Sequence, residues 1–258
     1  MNGFASLITS FRLGPPTRLA TIVGAGGKTS LMYAAAADLF ACGLKVVTTT
    51  TTKIFPPDVV QSSRLIMGTP VEIPDMVRKA FTRFGNITVG SGLLPNGKVD
   101  GVSEDTIRGL LEIADIVLVE GDGASGRPVK APEAWEPVIP SLTDIVVPVV
   151  GLDCLGKPAD PSIVFRLHRF LAVTGLRQGA QIGPQNIACL LGSADGGLKG
   201  IPAGAMVIPF LNKIDQVADE SVAGSIARQI LHDAGNIVTR VVSGSAAYNE
   251  RFTIHERP

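Results

Sequence analysis

Cysteine, aromatic residues and net charge are all scarce in this chain, and each scarcity removes a class of function. Its three cysteines, Cys42, Cys154 and Cys189, stand far apart in 258 residues with no paired spacing, which excludes a disulfide framework and a zinc ribbon. Lys plus Arg and Asp plus Glu number 23 each, so the formal charge at pH 7 is zero. A polyanion-tracking surface is not expected, and nucleic acid is not an expected partner. No apolar run reaches the roughly 18 residues that cross a bilayer, and Met1 to Arg18 lacks the basic start and apolar centre of an export signal. No membrane partner is expected, and the chain reads as cytoplasmic.

What is present is a rhythm. Apolar, β-branched runs at 18–23, 45–49, 115–119, 144–150, 205–211 and 236–242 read as strands. They alternate with helical spacing at 30–41, 74–84, 103–114, 161–173, 184–191 and 217–234. Alternation of this kind predicts an α/β fold with a mostly parallel sheet and helices on both faces, three-layered and P-loop NTPase-like. Pro95-Asn96-Gly97 marks a hairpin tip, so a small antiparallel hairpin insertion is expected around 86–101. Residues 1–258 read as a single nucleotide-binding domain with insertions. The Gly- and Pro-rich stretch from Gly121 to Ser141 is longer than ordinary connections, and such loops are usually functional.

After the strand ending at Val23 come Gly24-Ala25-Gly26-Gly27-Lys28-Thr29-Ser30, and a helical pattern follows at once. That context suits a phosphate loop. Glycines let backbone N–H groups turn inward on phosphate oxygens, the helix N-terminus adds its dipole, and Lys28 supplies a point charge. The Thr29 hydroxyl would hold Mg²⁺. The loop is shorter than G-x-x-x-x-G-K-[ST], since Ile22 stands six before Lys28, and in this it resembles the loop of Mur ligases. The dinucleotide fingerprint G-x-G-x-x-[GA] fails, because Thr29 occupies its last position.

Ile116 to Val119 runs into Glu120-Gly121-Asp122, which places carboxylates at the C-terminal tip of a buried strand, the edge where open α/β sheets bind ligands. Glu120, and after it Asp122, are the candidates to complete a Mg²⁺ shell begun by Thr29; either could instead cap a local turn. Val119-Glu120-Gly121 resembles the corresponding strand end of dethiobiotin synthetase. Thr48 to Thr52 end the second strand: Thr50 is a catalytic candidate beside Lys28 and Glu120, and Thr51 and Lys53 are candidates for a second substrate. The same threonines are also simply good strand residues.

Asn212-Lys213-Ile214-Asp215 follows an apolar run and resembles the N-K-x-D element of guanine-nucleotide-binding proteins. A carboxylate at Asp215 can accept from both the ring N–H and the exocyclic amine of guanine, a donor pair adenine lacks. Asn212 would support the loop or base, and the Lys213 stem would lie along the base plane. Ser243 to Ala246 resembles the Ser-Ala element near the base in those proteins. With Asp215 as a mere helix cap, ATP would be the nucleotide instead.

Taken together, Gly24 to Ser30, Thr49 to Lys53, Glu120 to Pro132, Glu136 to Pro140 and His168-Arg169 resemble the YqeC family across nearly the whole chain. The family pattern tends to carry Ala-Glu-His before Glu-Pro-Val-Ile-Pro, where this chain has Glu133-Ala134-Trp135. The resemblance implies an accessory role for selenium-dependent molybdenum hydroxylases, with a molybdenum hydroxylase or a phosphate-bearing cofactor as partner, and raises His168 as a site candidate. Arg127 and Lys130 could grip a second anion or be ordinary surface charges. The function expected is Mg²⁺-dependent GTP binding and hydrolysis in cofactor maturation. The alternatives are an ATP-dependent small-molecule kinase or ligase, and a noncatalytic nucleotide-sensing adaptor.

Overall fold

Apolar or threonine side chains at nearly every position make a strand that can be covered on both faces, and the central strands of this chain are built that way, with Glu120 the charged end of one of them. The computed structural model describes residues 6–257; the expectation about an export signal falls partly on residues 1–5, outside them. In chain order the first half comprises α1 (Leu7–Phe11), β1 (Leu19–Gly24), α2 (Lys28–Ala41), β2 (Val46–Thr50), β3 (Lys53–Ile54), β4 (Arg64–Met67), α3 (Ile73–Ala80), β5 (Asn86–Gly90), β6 (Gly92–Leu93), β7 (Val99–Asp100), α4 (Glu104–Leu111) and β8 (Ile116–Glu120). The second half comprises β9 (Val129–Lys130), β10 (Ile145–Gly151), β11 (Val164–Phe165), α5 (Leu167–Thr174), α6 (Pro184–Gly192), β12 (Met206–Val207), β13 (Phe210–Asn212), α7 (Ser221–Asp233), β14 (Arg240–Ser245) and β15 (Glu250–Glu256).

The main sheet runs β15-β14-β13-β10-β1-β8-β2-β5-β4, with β12 also paired to β10. All its pairings are parallel except β14 with β15. Successive side chains enter different cores, as the pleat requires. Ala20, Ile22, Leu118, Val147 and Phe210 meet α1 and α2 on one face. On the other, Val117, Val119 and Val47 meet α3 and α4, while Val150, Leu211 and Val241 meet α5, α6 and α7. The three-layer α/β arrangement expected from the sequence is the one adopted. Phe11 stands edge-on to Phe210 with ring centroids 5.2 Å apart, and burying each such ring contributes about 1.5–3 kcal/mol.

Several boundaries differ from the sequence expectation. The run 205–211 is two strands, broken at Ile208-Pro209, because proline has no N–H to give the ladder. Residues 235–237 form a 3₁₀ turn, so the strand expected at 236–242 begins only at Arg240. The helix expected from 161 starts at Leu167; before it, the Asp160 carboxylate accepts from the Ser162 N–H at 2.7 Å in a local turn, and β11 pairs in parallel with β9. The helix expected from 217 starts at Ser221. The antiparallel insertion is narrower than 86–101: β5 belongs to the main sheet, and only β6, β7 and β3 form the small sheet. Its tip is where expected, with Leu94 N–H donating to the Lys98 carbonyl at 2.8 Å.

Candidate functional site

The sheet order puts β1 between β8 and β10, so the ends of these strands and of β2 share one edge. Gly24, Gly26 and Gly27, at φ 92°, 83° and 123°, turn β1 into α2 in a region that side chains other than glycine rarely adopt. A Cβ on Gly26 would lie 2.1 Å from Gly151 N and 2.5 Å from the Pro128 carbonyl oxygen. Only glycine allows that approach. Gly24 N–H donates to both Asp122 carboxylate oxygens at 3.0 and 3.1 Å, and Ala25 N–H to the Val149 carbonyl at 2.9 Å. The N–H groups of Gly26, Gly27, Lys28, Thr29 and Ser30 meet no acceptor among the described residues. Unpaired donors at a helix N-terminus form a ready anion site.

Lys28 is buried, with Nζ 2.8 Å from the Gly24 carbonyl, 3.3 Å from Asp122 Oδ1 and 3.7 Å from Glu120 Oε1. The Thr29 hydroxyl donates to Glu120 Oε2 at 2.7 Å. Burial pushes the Glu120 carboxyl above the usual carboxylate range; Lys28 and the Thr29 hydroxyl oppose that shift, and Asp122 adds to it. No group of three His, Cys, Asp or Glu side chains assembles a metal site among the described residues. Mg²⁺ needs no such group. It is held through one or two protein oxygens together with water and phosphate; the Thr29 hydroxyl would be such an oxygen, with Glu120, 2.7 Å from it, accepting from a metal-held water. Asp122 is placed differently: it accepts from Gly24 N–H and lies between Lys28 and Lys130.

Thr50 donates to the Glu120 carbonyl at 2.8 Å and accepts from Thr52 N–H at 3.0 Å, while Thr51 donates to the Val138 carbonyl at 2.7 Å. These hydroxyls clamp β2 to the end of β8 and to the 121–141 loop. Of the remaining second-substrate candidates, Lys53 is exposed on β3, Arg127 binds the Pro161 and Ser125 carbonyls, and His168 is exposed beside Glu133 at 3.0 Å. Lys130 is buried, with Nζ 2.7 Å from the Gly123 carbonyl, 3.0 Å from Asp122 and 3.1 Å from Glu136. The structure therefore joins Lys130, through Asp122, to the Gly24–Ser30 turn, whereas Arg127 is taken up by main-chain carbonyls and His168 by Glu133. Glu136, which sequence reasoning did not single out, is held below the usual carboxylate range: its burial works the other way, and Lys130, the Glu133 N–H and Arg166 overcome it.

Asn212 is buried and links two segments. Its Nδ2 donates to the Gly26 carbonyl at 2.8 Å, and its Oδ1 accepts from Ala246 N–H at 3.0 Å. Lys213, at φ 64°, reaches Asp153 Oδ2 at 2.9 Å. Asp215 is exposed on the one-turn helix Ile214–Gln216. The next residue, Gln216, lines a cleft of about 540 Å³ together with Leu152, Asp153, Lys157, Asp219 and others; neither Asp215 nor the Gly24–Ser30 turn is in its wall. Asp153 was a second omission from the sequence; its signal was a carboxylate just past a buried strand. Asn212→Ala leaves the Gly26 carbonyl and the Ala246 N–H without a partner, at about 1–3 kcal/mol for each buried group. The variant is expected to melt several degrees lower and to bind phosphate-bearing ligands about 10-fold more weakly. Unchanged ligand affinity in calorimetry would show that the Asn212 bridge between Gly26 and Ala246 does not bear on ligand binding.

A family model described as "YqeC protein" matches residues 20–168. The Escherichia coli (strain K12) protein "Uncharacterized protein YqeC" is 31% identical over 236 residues, covering 90% of each chain. Among solved structures, the signal recognition particle receptor FtsY from Elizabethkingia anophelis aligns at 13% identity with a TM-score of 0.39, covering 96% of this chain. This chain spans 64% of that receptor's length.

Proposed function

The chain belongs to the YqeC family, and we propose that it is a Mg²⁺-dependent, guanine-preferring nucleotide-binding protein that hydrolyses GTP. The observation that carries this is the row of unpaired N–H groups from Gly26 to Ser30, with Lys28 at its base and the Thr29–Glu120 pair beside it. Bound Mg²⁺ would offset charge on the phosphates; Lys28 would move from the Gly24 carbonyl onto them, and Glu120 would accept from a metal-held water. Guanine preference is supported by Asn212, which ties the N-K-x-D segment to Gly26, and by Asp215, whose carboxylate is exposed and open to a ligand. The resemblance to accessory proteins of selenium-dependent molybdenum hydroxylases gives the hydrolysis a purpose in cofactor maturation, with that enzyme or a phosphate-bearing cofactor as the second party.

Equilibrium binding of GTP, GDP, ATP and ADP with Mg²⁺ tests the proposal. GTP should bind at least about 10-fold tighter than ATP, and Asp215→Ala should erase the difference by removing the acceptor for guanine's donor pair. A preference for ATP that Asp215→Ala leaves intact would move the protein to kinase or ligase chemistry. Binding of no nucleotide would end the proposal.

A further inference from the structure

From Lys28 a line of alternating charges runs back behind the Gly24–Ser30 turn, and beyond that lysine the binding chemistry above does not use it. Lys28 Nζ lies 3.3 Å from Asp122 Oδ1, and Asp122 Oδ2 lies 3.0 Å from Lys130 Nζ. Lys130 Nζ lies 3.1 Å from Glu136 Oε2, and Glu136 Oε1 lies 3.6 Å from an Arg166 terminal nitrogen. The Arg166 guanidinium stands over Phe165 at 4.7 Å and over Trp135 at 5.7 Å. Lys28, Asp122 and Lys130 are 4%, 2% and 3% exposed, whereas Trp135 is 67% exposed. The line leads from the deepest part of the loop to the surface. With Glu120, three carboxylates face the three cations Lys28, Lys130 and Arg166, so the set is neutral.

We propose that this line is a read-out device: phosphate arriving at Lys28 is reported at the Trp135–Arg166 surface through Asp122, Lys130 and Glu136. The coupling deepens the regulation of the proposed nucleotide site and rests on it. Lys28 is the element with two positions. In the structure it lies on the Gly24 carbonyl and Asp122; a polyphosphate draws it forward. Asp122 then has only Lys130 as its cation, Lys130 moves its share of charge from Glu136 to Asp122, and Glu136 turns to Arg166. Screening is weak at these depths, so each step is felt by the next. Arg166 and the exposed indole are side chains of the kind that anchor protein partners, and their pairing changes with the state of the loop.

Trp135 is the single tryptophan in 258 residues, so its fluorescence isolates the far end of the line. The first comparison needs no ligand: Lys28→Met imitates withdrawal of the lysine. It should alter Trp135 emission in the same sense as saturating Mg²⁺–tripolyphosphate or Mg²⁺–GTP alters the wild type, and Lys130→Met should cancel both responses. If Lys130→Met does not fold, Glu136→Gln and Arg166→Met cut later links nearer the surface and must cancel them equally. Superimposable emission from wild type and Lys28→Met, or a response that survives the cut, overturns the coupling. A wild type that binds neither ligand in calorimetry while Lys28→Met still shifts the emission keeps the coupling and removes the nucleotide.

A second readout separates the line from a general electrostatic field. Glu136→Gln gives Lys130 wholly to Asp122 and loosens its hold on Lys28, so tripolyphosphate should bind about 5-fold tighter. In a Lys130→Met background the same change should do nothing. A field effect would persist there, and the additive result would contradict the line.

Discussion

Lys28→Met is expected to raise the dissociation constant for Mg²⁺–GTP by at least about 100-fold, equivalent to about 2.7 kcal/mol. The magnitude follows from where the lysine sits. At 4% exposure its charge is little screened, and loss of one partner from a buried charge pair typically costs about 2–5 kcal/mol. The same substitution leaves Glu120 and Asp122, 3.7 and 3.3 Å from the missing ammonium, as buried carboxylates with less compensation. A stability loss of about 3–5 kcal/mol is therefore expected as well. The two effects part experimentally. Binding is measured by calorimetry well below the melting temperature of the variant, and stability by denaturant titration without ligand. Affinity within about threefold of wild type in a folded variant would mean that phosphate does not bind at this loop, whatever happens to stability.

The features legible in the sequence are those encoded by neighbours. Gly24 to Ser30 announces its turn because the glycines supply positive φ and the next residues continue as α2. The strands β1, β2, β8 and β10 show as uninterrupted apolar or threonine runs because both their faces are covered. What escaped lies at edges or depends on contacts distant in sequence. In β15 polar residues flank Phe252 and Ile254 in alternation, and Phe252 is buried while Thr253 is exposed; as an antiparallel edge it lacks the continuous run of the central strands. The edge strand β4 buries Ile66 and leaves Arg64 and Met67 exposed. β5, ending in glycine just before a hairpin, looked like part of that hairpin although it pairs in parallel with β2 and β4.

The same division runs through the site. Lys28, Thr29 and Glu120 could be assembled from motif and strand-end logic, and they are together. Lys130 could not be placed that way. Its role depends on the 121–141 loop folding so that Glu136 returns to within 3.1 Å of it, and on Arg166, thirty residues further on, reaching that same carboxylate. Spacing alone left Lys130 between an anion-gripping residue and a surface charge; burial makes it the central link between two carboxylates. Thr50 and Thr51 likewise looked free at a strand end, and their hydroxyls close bonds to the Glu120 and Val138 carbonyls.

Glu120→Gln is expected to weaken Mg²⁺-dependent nucleotide binding by about 10–100-fold, the usual cost of removing a group that orients a metal's ligands, and to abolish a specific pH dependence. Burial holds the folded-state carboxyl above its model value of 4.5. Between 4.5 and that raised value the folded chain carries more protons at this site than the unfolded chain. Stability contributed by Glu120 is thus greatest at low pH and is lost as pH rises through this window, opposite to an ordinary ion-paired carboxylate. Metal binding runs the other way. Mg²⁺ requires the ionised form, so its affinity for the nucleotide-bound protein should rise with pH across the same window, with proton release visible as a buffer-dependent heat. Glutamine keeps the side chain's size and its capacity to accept from Thr29 but cannot titrate, so both slopes should flatten together. If the metal's pH slope persists in Glu120→Gln, the ion is held by another acid, and Asp122 becomes the group to change next.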